Sequence, residues 1–498
     1  MTRAYPTATA SARIPEPVVV AGAGLVVASA IALDLGRPLP YWLLGLSALL
    51  VIACARPLYG FAALVGLVLV TEQYPESLGI GIEPWLPQHV PLYTNIKDLT
   101  PLSLMYANAL ELWLVLLVVV WLVRGVAAGA IRIRPVLCPA AVSLAALTAI
   151  ATFVAGVWTG GDFKIALWEV RAFGYLFGLI WFVPQIVERR RDVTVLLWVI
   201  VGALGIQACQ GLYRYFVVLR MQMSLTGTFM AHEDPVMFVP LFFLLVLLLY
   251  YHVEPRLTRL LAVAAPLMVA ALALTQRRVA YVTLAVCAAL FAVAVRPGVR
   301  RMYFAILAPV AVIGVLYVAT FYGSSSPLGR PIERALLLFD STNSSNTYRV
   351  VEEDNLKFTV GLYPWGTGFG QPFVMRQDLP VTWGLYDYIP HNEILWMWVK
   401  SGTPGFIVLM FFFARVIAEG VWAHRTLPDR LFRILGAVVA IAVLNQMIAA
   451  YYELQLTYTR NMVYLGTLLG LLGRVIAWNH VRARDLRRGP VLARRRTQ

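Results

Sequence analysis

Over most of its length the chain does not alternate apolar and polar residues at a short period. Apolar residues run on for about twenty positions and then stop at clusters of Arg, Pro, Gly or Asp. Roughly 20 such residues are what an α-helix needs to cross ~30 Å of hydrocarbon. Runs of this kind fall near 17–34, 40–55, 57–71, 103–124, 136–157, 167–187, 193–218 and 235–252. They resume near 260–275, 279–295, 302–322, 405–423, 433–453 and 461–479. That makes fourteen, with 40–55 and 57–71 the shortest pair, so twelve is the lower count. The pattern predicts an all-α polytopic integral membrane bundle of 12–14 transmembrane helices with an outer cap between the late helices. It divides into N-terminal helices over 1–160, core helices over 161–322, the cap over 323–391, C-terminal helices over 392–480 and a basic tail over 481–498.

Composition agrees. The 498 residues are 60% hydrophobic and 13% charged, with a mean hydropathy of +0.73, so the bilayer is the solvent to reason with. The formal net charge of +15 would suggest nucleic acid in a soluble chain. Here the arginines sit between apolar runs, where they set topology, and no nucleic-acid partner is expected. Arg189-Arg190-Arg191, Arg256 with Arg259, Arg296 with Arg300-Arg301, and Arg425 with Arg430 fall on alternate sides of successive spans, and the tail RARDLRRGPVLARRRTQ joins them. By the positive-inside rule that side is cytoplasmic and carries both termini, as expected of a multi-pass protein of a bacterial inner membrane. The segment from Gly323 to Pro390 then faces outward, with the loops at 72–101, 158–166, 219–234 and 454–460 and the turn holding Arg277-Arg278. The opening MTRAYPTATASAR is polar and mildly basic, and no removable signal peptide is expected. Cys54, Cys138, Cys209 and Cys287 are scattered singly, with neither metal spacing nor a disulfide framework, and no cofactor is expected.

The outer segment is long enough to build a water-exposed cap. SSNTYRVVEEDNLKFTV reads as a helix capped by Ser345 or Asn346, with Glu352-Glu353-Asp354 as a solvated face in preference to a metal site. GLYPWGTGFGQPF follows, its glycines allowing backbone to approach something closely. Its G-x-G-x-G spacing resembles a nucleotide loop only superficially, because no parallel βαβ unit surrounds it.

The most informative stretch is HNEILWMWVKSGTPG, His391 to Gly405. From Asn392 to Trp422 a continuous helix would be about 46 Å long, more than the hydrocarbon core needs. Gly402-Thr403-Pro404-Gly405 interrupts it, since Pro404 cannot continue the hydrogen-bond ladder. A short helix over 391–401 then lies at the outer interface and the span proper begins near Gly405. Trp396 and Trp398 read as interfacial belt aromatics, and His391 stands at a helix start on the outer surface. Two cationic sites share that depth. In TQRRVAYVTL, Arg277 and Arg278 interrupt apolar sequence on the face where the positive-inside rule disfavours them, which favours an anionic ligand. In KIALWEVRAFGYLFG, Arg171 lies near an outer span end, with Glu169 and Lys164 as candidate structural partners.

These residues resemble a known family. His391-Asn392, nine residues, Gly402, two residues, Gly405 is the pattern of bacterial O-antigen ligases and the related O-antigen polymerases. RVAY, Arg278 to Tyr281, looks like their arginine motif at an outer helix end, and NTYRVVEEDNLKFTVGLYPWGTGFGQPF resembles their outer loop. LTGTFMAHEDPVMF resembles their Gly-Thr-Phe segment, although Ser224 stands where they often carry an arginine and Arg277 stands where a serine is more usual. The resemblance covers roughly 160–480. It implies transfer of a glycan from an undecaprenyl-diphosphate carrier to a hydroxyl of a glycan, lipid or protein acceptor on the outer face of the membrane. Arg278 would hold the diphosphate, assisted by Arg277 or Arg220, with Arg214 and Arg171 also open as the second ligand. His391, beside Asn392, would orient or deprotonate the acceptor or bind phosphate as a cation, and Arg349 would organise the cap or the donor sugar. Gly402 and Gly405 would shape the bend. No Asp-x-Asp signature appears in the outer loops, so arginines in place of a divalent cation would carry the charge, and one displacement would invert the anomeric centre. Peptidoglycan polymerases of the shape, elongation, division and sporulation type rely on an outer-loop aspartate and lack the His-Gly motif. A transporter or glycan flippase would show polar groups at mid-membrane and related halves, and neither is seen.

Overall fold

The computed structural model describes residues 52–53, 55–74, 90–99, 105–221, 228–275, 277–324, 326, 329, 332–333, 344–380 and 384–487. The run near 17–34, all but the end of that near 40–55, the Leu225-Thr226-Gly227 start of the Gly-Thr-Phe segment with Ser224, and the last residues of the basic tail lie outside them. Each of the other twelve apolar runs is a helix. In chain order these are α1 (Pro57–Val70), α2 (Ala109–Ala127), α3 (Pro139–Trp158), α4 (Phe163–Ile186), α5 (Arg190–Tyr213), α6 (Asp234–Tyr251), α7 (Pro255–Leu274), α8 (Arg278–Ala294) and α9 (Pro297–Phe321). The segment over 323–391 supplies α10 (Ser344–Leu362), and α11 (Glu393–Thr426), α12 (Arg430–Tyr452) and α13 (Thr459–Arg487) complete the order. Among the described residues ten helices are long and apolar enough to cross a membrane, and α1 and α8 are shorter apolar helices. No strand occurs among the described residues, so the protein is all-α and polytopic.

The chain divides into two compact units. One is drawn from 1–75, 83–133 and 186–203, the other from 76–82, 134–185 and 204–498, so that α5 passes from the first to the second at Leu204. In the first unit α2 opens on a capping box. Asn108 Oδ1 accepts the Glu111 N–H and Glu111 Oε2 accepts the Asn108 N–H, both at 2.9 Å. Trp113 donates to the Gly60 carbonyl at 3.2 Å, and Arg56 pairs with the buried Asp192 at 2.6 Å.

In the second unit α12 packs against α6, α8, α11 and α13. Lipid tails are as apolar as leucine, so close backbone approach, more than hydrophobicity, drives helix association there. Gly420 on α11 and Gly436 on α12 supply it. A Cβ on either would stand 2.7 Å from the other's carbonyl oxygen. α9 is the opposite case: only Val299 and Tyr303 are buried, as suits a helix facing lipid.

The two ends of this unit differ. At one, the predicted basic clusters meet. Arg430 donates to the Tyr251 carbonyl at 3.3 Å, Arg425 to the Ala294 carbonyl at 3.2 Å, and Arg296 to the Arg425 carbonyl. Tyr251 and Ala294 end α6 and α8, and Arg425 is in the last turn of α11, so the arginines satisfy carbonyls that have no partner within their own helices. The candidate site lies at the other end.

Candidate active site

The site is built around the break in α11. Gly402 has φ 66° and ψ 178°, outside the helical range, and the bend follows the Gly-Thr-Pro-Gly sequence as expected. Pro404 has no N–H, and the Thr403 N–H donates to the Pro364 carbonyl at 2.8 Å. The carbonyls of Val399 and Lys400, four residues back, therefore lose their intrahelical donors. The glycine-rich loop replaces them. Thr367 N–H reaches Val399 at 2.9 Å and Gly368 N–H reaches Lys400 at 3.0 Å. A Cβ on Gly402 would stand 2.2 Å from the Trp365 carbonyl carbon, so nothing larger fits the crossing. Further hydrogen bonds, Phe369 N–H to Thr152 at 3.1 Å and Asp162 N–H to Gly370 at 2.9 Å, tie the loop to α3 and to the start of α4. What the glycines approach is protein backbone.

A buried acid fastens the same junction. Glu169 accepts the Gly370 N–H at 2.5 Å and the Trp396 indole N–H at 3.2 Å, and it pairs with the buried Lys400 ammonium at 2.7 Å. Two expectations are corrected here. Glu169 serves Lys400 in place of Arg171, and Trp396 is fully buried against Phe173 and Phe369 where an interfacial position was expected. The apolar packing of the junction outcompetes the interface for that ring. Trp398 stays half-buried, stacked on Phe406 and donating to Thr403 at 3.0 Å.

One face of α10 connects the residues on which chemistry was expected. The described helix begins at Ser344, so Asn346 lies inside it. Asn346 Oδ1 instead accepts from Arg278 Nη1 at 3.2 Å. Three residues on, Arg349 Nη2 lies 3.7 Å from Glu453. After three more, Glu352 accepts the His391 backbone N–H at 2.9 Å through Oε2, while its Oε1 lies 3.2 Å from His391 Nδ1. A spacing of three keeps all of these on one side. Asn355 and Thr359 extend the stripe and bind the 374–377 backbone, fixing the helix in place. The acidic trio is thereby split, which corrects its reading as a solvated face. Glu352 is buried against His391, Glu353 pairs with Lys357 at 2.6 Å, and Asp354 lies 3.8 Å from Arg376. The Tyr348 ring stands edge-on to the His391 ring, 5.3 Å away.

Beside this face is a cluster the sequence did not single out. Arg277, immediately before α8, donates to His232 Nε2 at 2.6 Å and lies 3.8 Å from Glu453 Oε1. A guanidinium has only donors, so Nε2 accepts and the ring proton sits on Nδ1, 3.9 Å from Glu453 Oε2. Burial, then the positive charge of the Arg277 guanidinium with that of Arg349 beyond it, holds His232 well below its ordinary range. Glu453 thus faces two arginines and this histidine. Two buried carboxylate arrangements fix the turn that follows it. Glu393 accepts the backbone N–H groups of Gln455, Leu456 and Thr457 and the Thr457 hydroxyl. Arg460 pairs with Glu233 and with Asp234, each at 2.7 Å.

Of the residues expected from sequence, the structure gathers Arg277, Arg278, Arg349 and His391 around α10. Asn392 caps α11, accepting the Leu395 N–H at 3.1 Å, and Gly405 packs toward Thr148 of α3. Arg171 is half-buried on α4, and Arg214 is buried at the start of a π-helical turn, Arg214–Val218. Arg220 is exposed beyond that turn with φ 47°, and its side chain makes no hydrogen bond or ion pair among the described residues. His232, Glu352, Glu393, Glu453 and Arg460 were missed. The available signal was position: His232, Glu453 and Arg460 all lie in or beside loops assigned to the outward side. Among the described residues no group of three or more His, Cys, Asp or Glu side chains could hold a metal ion.

A bundle of apolar helices with an ionic cluster at one end, held by a bent helix and by α10, is a polytopic membrane protein. Residues 263–410 match the family-model domain described as O-antigen ligase. The match includes Arg277, Arg278, the whole of α10, His391 and the bend, while His232 and Glu453 lie outside it. No curated protein matches the chain. The domain supports a membrane glycan-transfer function for this protein.

Proposed function

We propose that the protein transfers a glycan from an undecaprenyl-diphosphate carrier to an acceptor hydroxyl on the outer face of the bacterial inner membrane, with both termini cytoplasmic. The observation that carries this is the convergence of Arg277, Arg278 and Arg349 with His391 along one face of α10, at the end of the unit away from the carbonyl-capping arginines. Guanidinium forks stabilise a diphosphate leaving group through charge-assisted hydrogen bonds, with no divalent ion required. Arg278 holds the diphosphate and Arg277 assists, while Arg349 orders the donor beneath the cap. Arg220 and Arg171 are secondary contacts for the carrier, and Asn392 fixes the helix start that presents His391. His391 accepts the proton of the acceptor hydroxyl as its oxygen attacks the anomeric carbon. The bond from that carbon to the diphosphate oxygen breaks, the electron pair leaves with undecaprenyl diphosphate, and configuration inverts.

The test is reconstitution in proteoliposomes with a defined undecaprenyl-diphosphate-linked oligosaccharide and candidate acceptors, read by mass analysis of which acceptor gains the glycan. Transfer that continues in EDTA is the expected result. Transport of the intact lipid-linked glycan without transfer, or activity lost in EDTA and restored by magnesium, would overturn the reading.

A further inference from the structure

We propose that Glu352 is a positioning residue for the transfer reaction, holding His391 as the Nδ1–H tautomer so that Nε2 is the basic nitrogen. The proposal deepens the reading of His391 as the base and rests on it. Three observations carry it. Glu352 is 1% exposed, a carboxylate buried on the docked face of α10 beside Tyr348 and Asn355. Both of its oxygens are spent on one residue, Oε2 on the His391 backbone N–H and Oε1 beside Nδ1. His391 also immediately precedes Asn392, whose side chain caps α11, so its backbone is held from both sides.

A carboxylate accepts only, so the imidazole nitrogen facing it carries the proton. The other nitrogen then bears the lone pair that takes the acceptor proton, and the imidazolium formed is balanced by the Glu352 charge. The proton afterwards passes to solvent, restoring the neutral ring. Glu352 therefore touches neither donor nor acceptor and acts through His391. The carboxylate–imidazole pair of hydrolytic triads works by the same physics, setting tautomer and orientation without itself taking the proton.

Glu352→Gln tests this. The glutamine oxygen can still accept the His391 backbone N–H, but its amide N–H groups then face Nδ1 and force the proton onto Nε2. Expected is a fall in kcat of about a hundred- to ten-thousandfold, the range associated with losing a general base. KM for a defined undecaprenyl-diphosphate-linked disaccharide should be unchanged, and in the residual activity the acid limb of the kcat–pH profile should move to lower pH. Glu352→Asp, which keeps the charge, should recover part of kcat and return the limb towards its original position. Nitrogen NMR of histidine-labelled protein in lipid reads the tautomer directly and needs no turnover. The His391 signal, assigned by its loss in His391→Gln, should be Nδ1–H in the native protein and change in Glu352→Gln. A His391 ring unaffected by Glu352→Gln, or native kcat and pH profile in that variant, would overturn the proposal. Full activity in His391→Gln would instead remove the base reading, a failure visible without reference to Glu352. If Glu352→Gln fails to fold, the Asp variant and the native tautomer decide: an Nε2–H ring in the native protein ends the idea.

Discussion

At one end of the second unit Arg296, Arg425 and Arg430 reach backbone carbonyls, whereas at the other Arg277, Arg349 and Arg460 reach carboxylates. The residue type is the same and the physics is not. A helix-terminal carbonyl is a fixed part of the backbone, so a guanidinium bound to it completes the helix end and complements its dipole. A side-chain carboxylate supplies a whole counter-charge, and distance decides what that does. Arg460 meets two carboxylates at 2.7 Å, hydrogen-bonding distance, and is a closed structural unit. Arg277 and Arg349 share Glu453 at 3.8 and 3.7 Å, too far for hydrogen bonds. One carboxylate offsets only part of their combined charge, and their donors towards Glu453 are not committed to it, which is the condition a guanidinium needs if it is to engage another anion. Arginine content alone does not distinguish these cases; the partner and the distance separate the capping and closed arginines from those with uncommitted donors.

The sharpest way to break that division is Arg460→Ala. Removing the cation leaves Glu233 and Asp234 buried and uncompensated, which costs about 3–5 kcal/mol. Thermal unfolding in detergent should show a large fall in Tm, or the variant should fail to accumulate in the membrane. Native stability would mean that the two ion pairs are not the closed unit described. Next in size is Arg278→Ala, whose effect falls on turnover and not on folding. Losing a charged contact to the leaving diphosphate should cost on the order of 3 kcal/mol of transition-state stabilisation, about a hundredfold in rate. Arg278→Lys should rescue poorly, because an ammonium lacks the planar fork. Full transfer by the alanine variant, in the reconstituted assay, would remove Arg278 from the site.

The same contrast explains what could be read from sequence. Span length and basic-loop placement are one-dimensional properties, and the twelve described runs are helices with Arg296, Arg425 and Arg430 together at one end. The bend in α11 was also legible, because Pro404 between glycines forbids a continuous ladder whatever surrounds it. Which acid pairs with which base was not. Glu352, Glu353 and Asp354 are consecutive, about 100° apart around the helix, and only the docking of α10 selects Glu352 for burial against His391. Trp396 and Trp398 carry the same interfacial signal, yet only Trp396 falls on the face packed against Phe173. Glu453 meets Arg277 and Arg349 across long stretches of chain, a juxtaposition that no local pattern announces.

A smaller effect distinguishes the Glu453 cluster from its neighbours by pH. The folded protein holds His232 neutral well below its ordinary value of 6.5, whereas the unfolded chain takes up a proton there. The unfolded state then binds more protons, so this contribution is complete above about pH 6.5 and is lost as pH falls below it, by at most about 1.4 kcal/mol per pH unit. His232→Gln should flatten the acid side of the Tm–pH curve in detergent by that one-proton component. An unchanged acid slope would mean that His232 is not held neutral by Arg277 and burial.

The smallest effect is expected at the carbonyl-capping end. Arg425 donates to the last carbonyl of α8 at 3.2 Å, from a position open to solvent. A cation at a helix C-terminus contributes about 0.3–1 kcal/mol at low salt and fades within one turn of the end. Arg425→Ala should therefore lower stability by less than about 1 kcal/mol. The deficit should shrink in high salt, because the screening length falls from about 10 Å at 0.1 M to about 3 Å at 1 M. The Glu453-paired arginines are partly withdrawn from solvent and would be screened less, so salt separates the two ends as well as mutation does. Glycan transfer by Arg425→Ala should stay within about twofold of native, a change smaller than 0.5 kcal/mol. A folded Arg425→Ala protein that cannot transfer glycan would show that an arginine capping a carbonyl can be as necessary to the reaction as one facing Glu453, and the division by partner would fail.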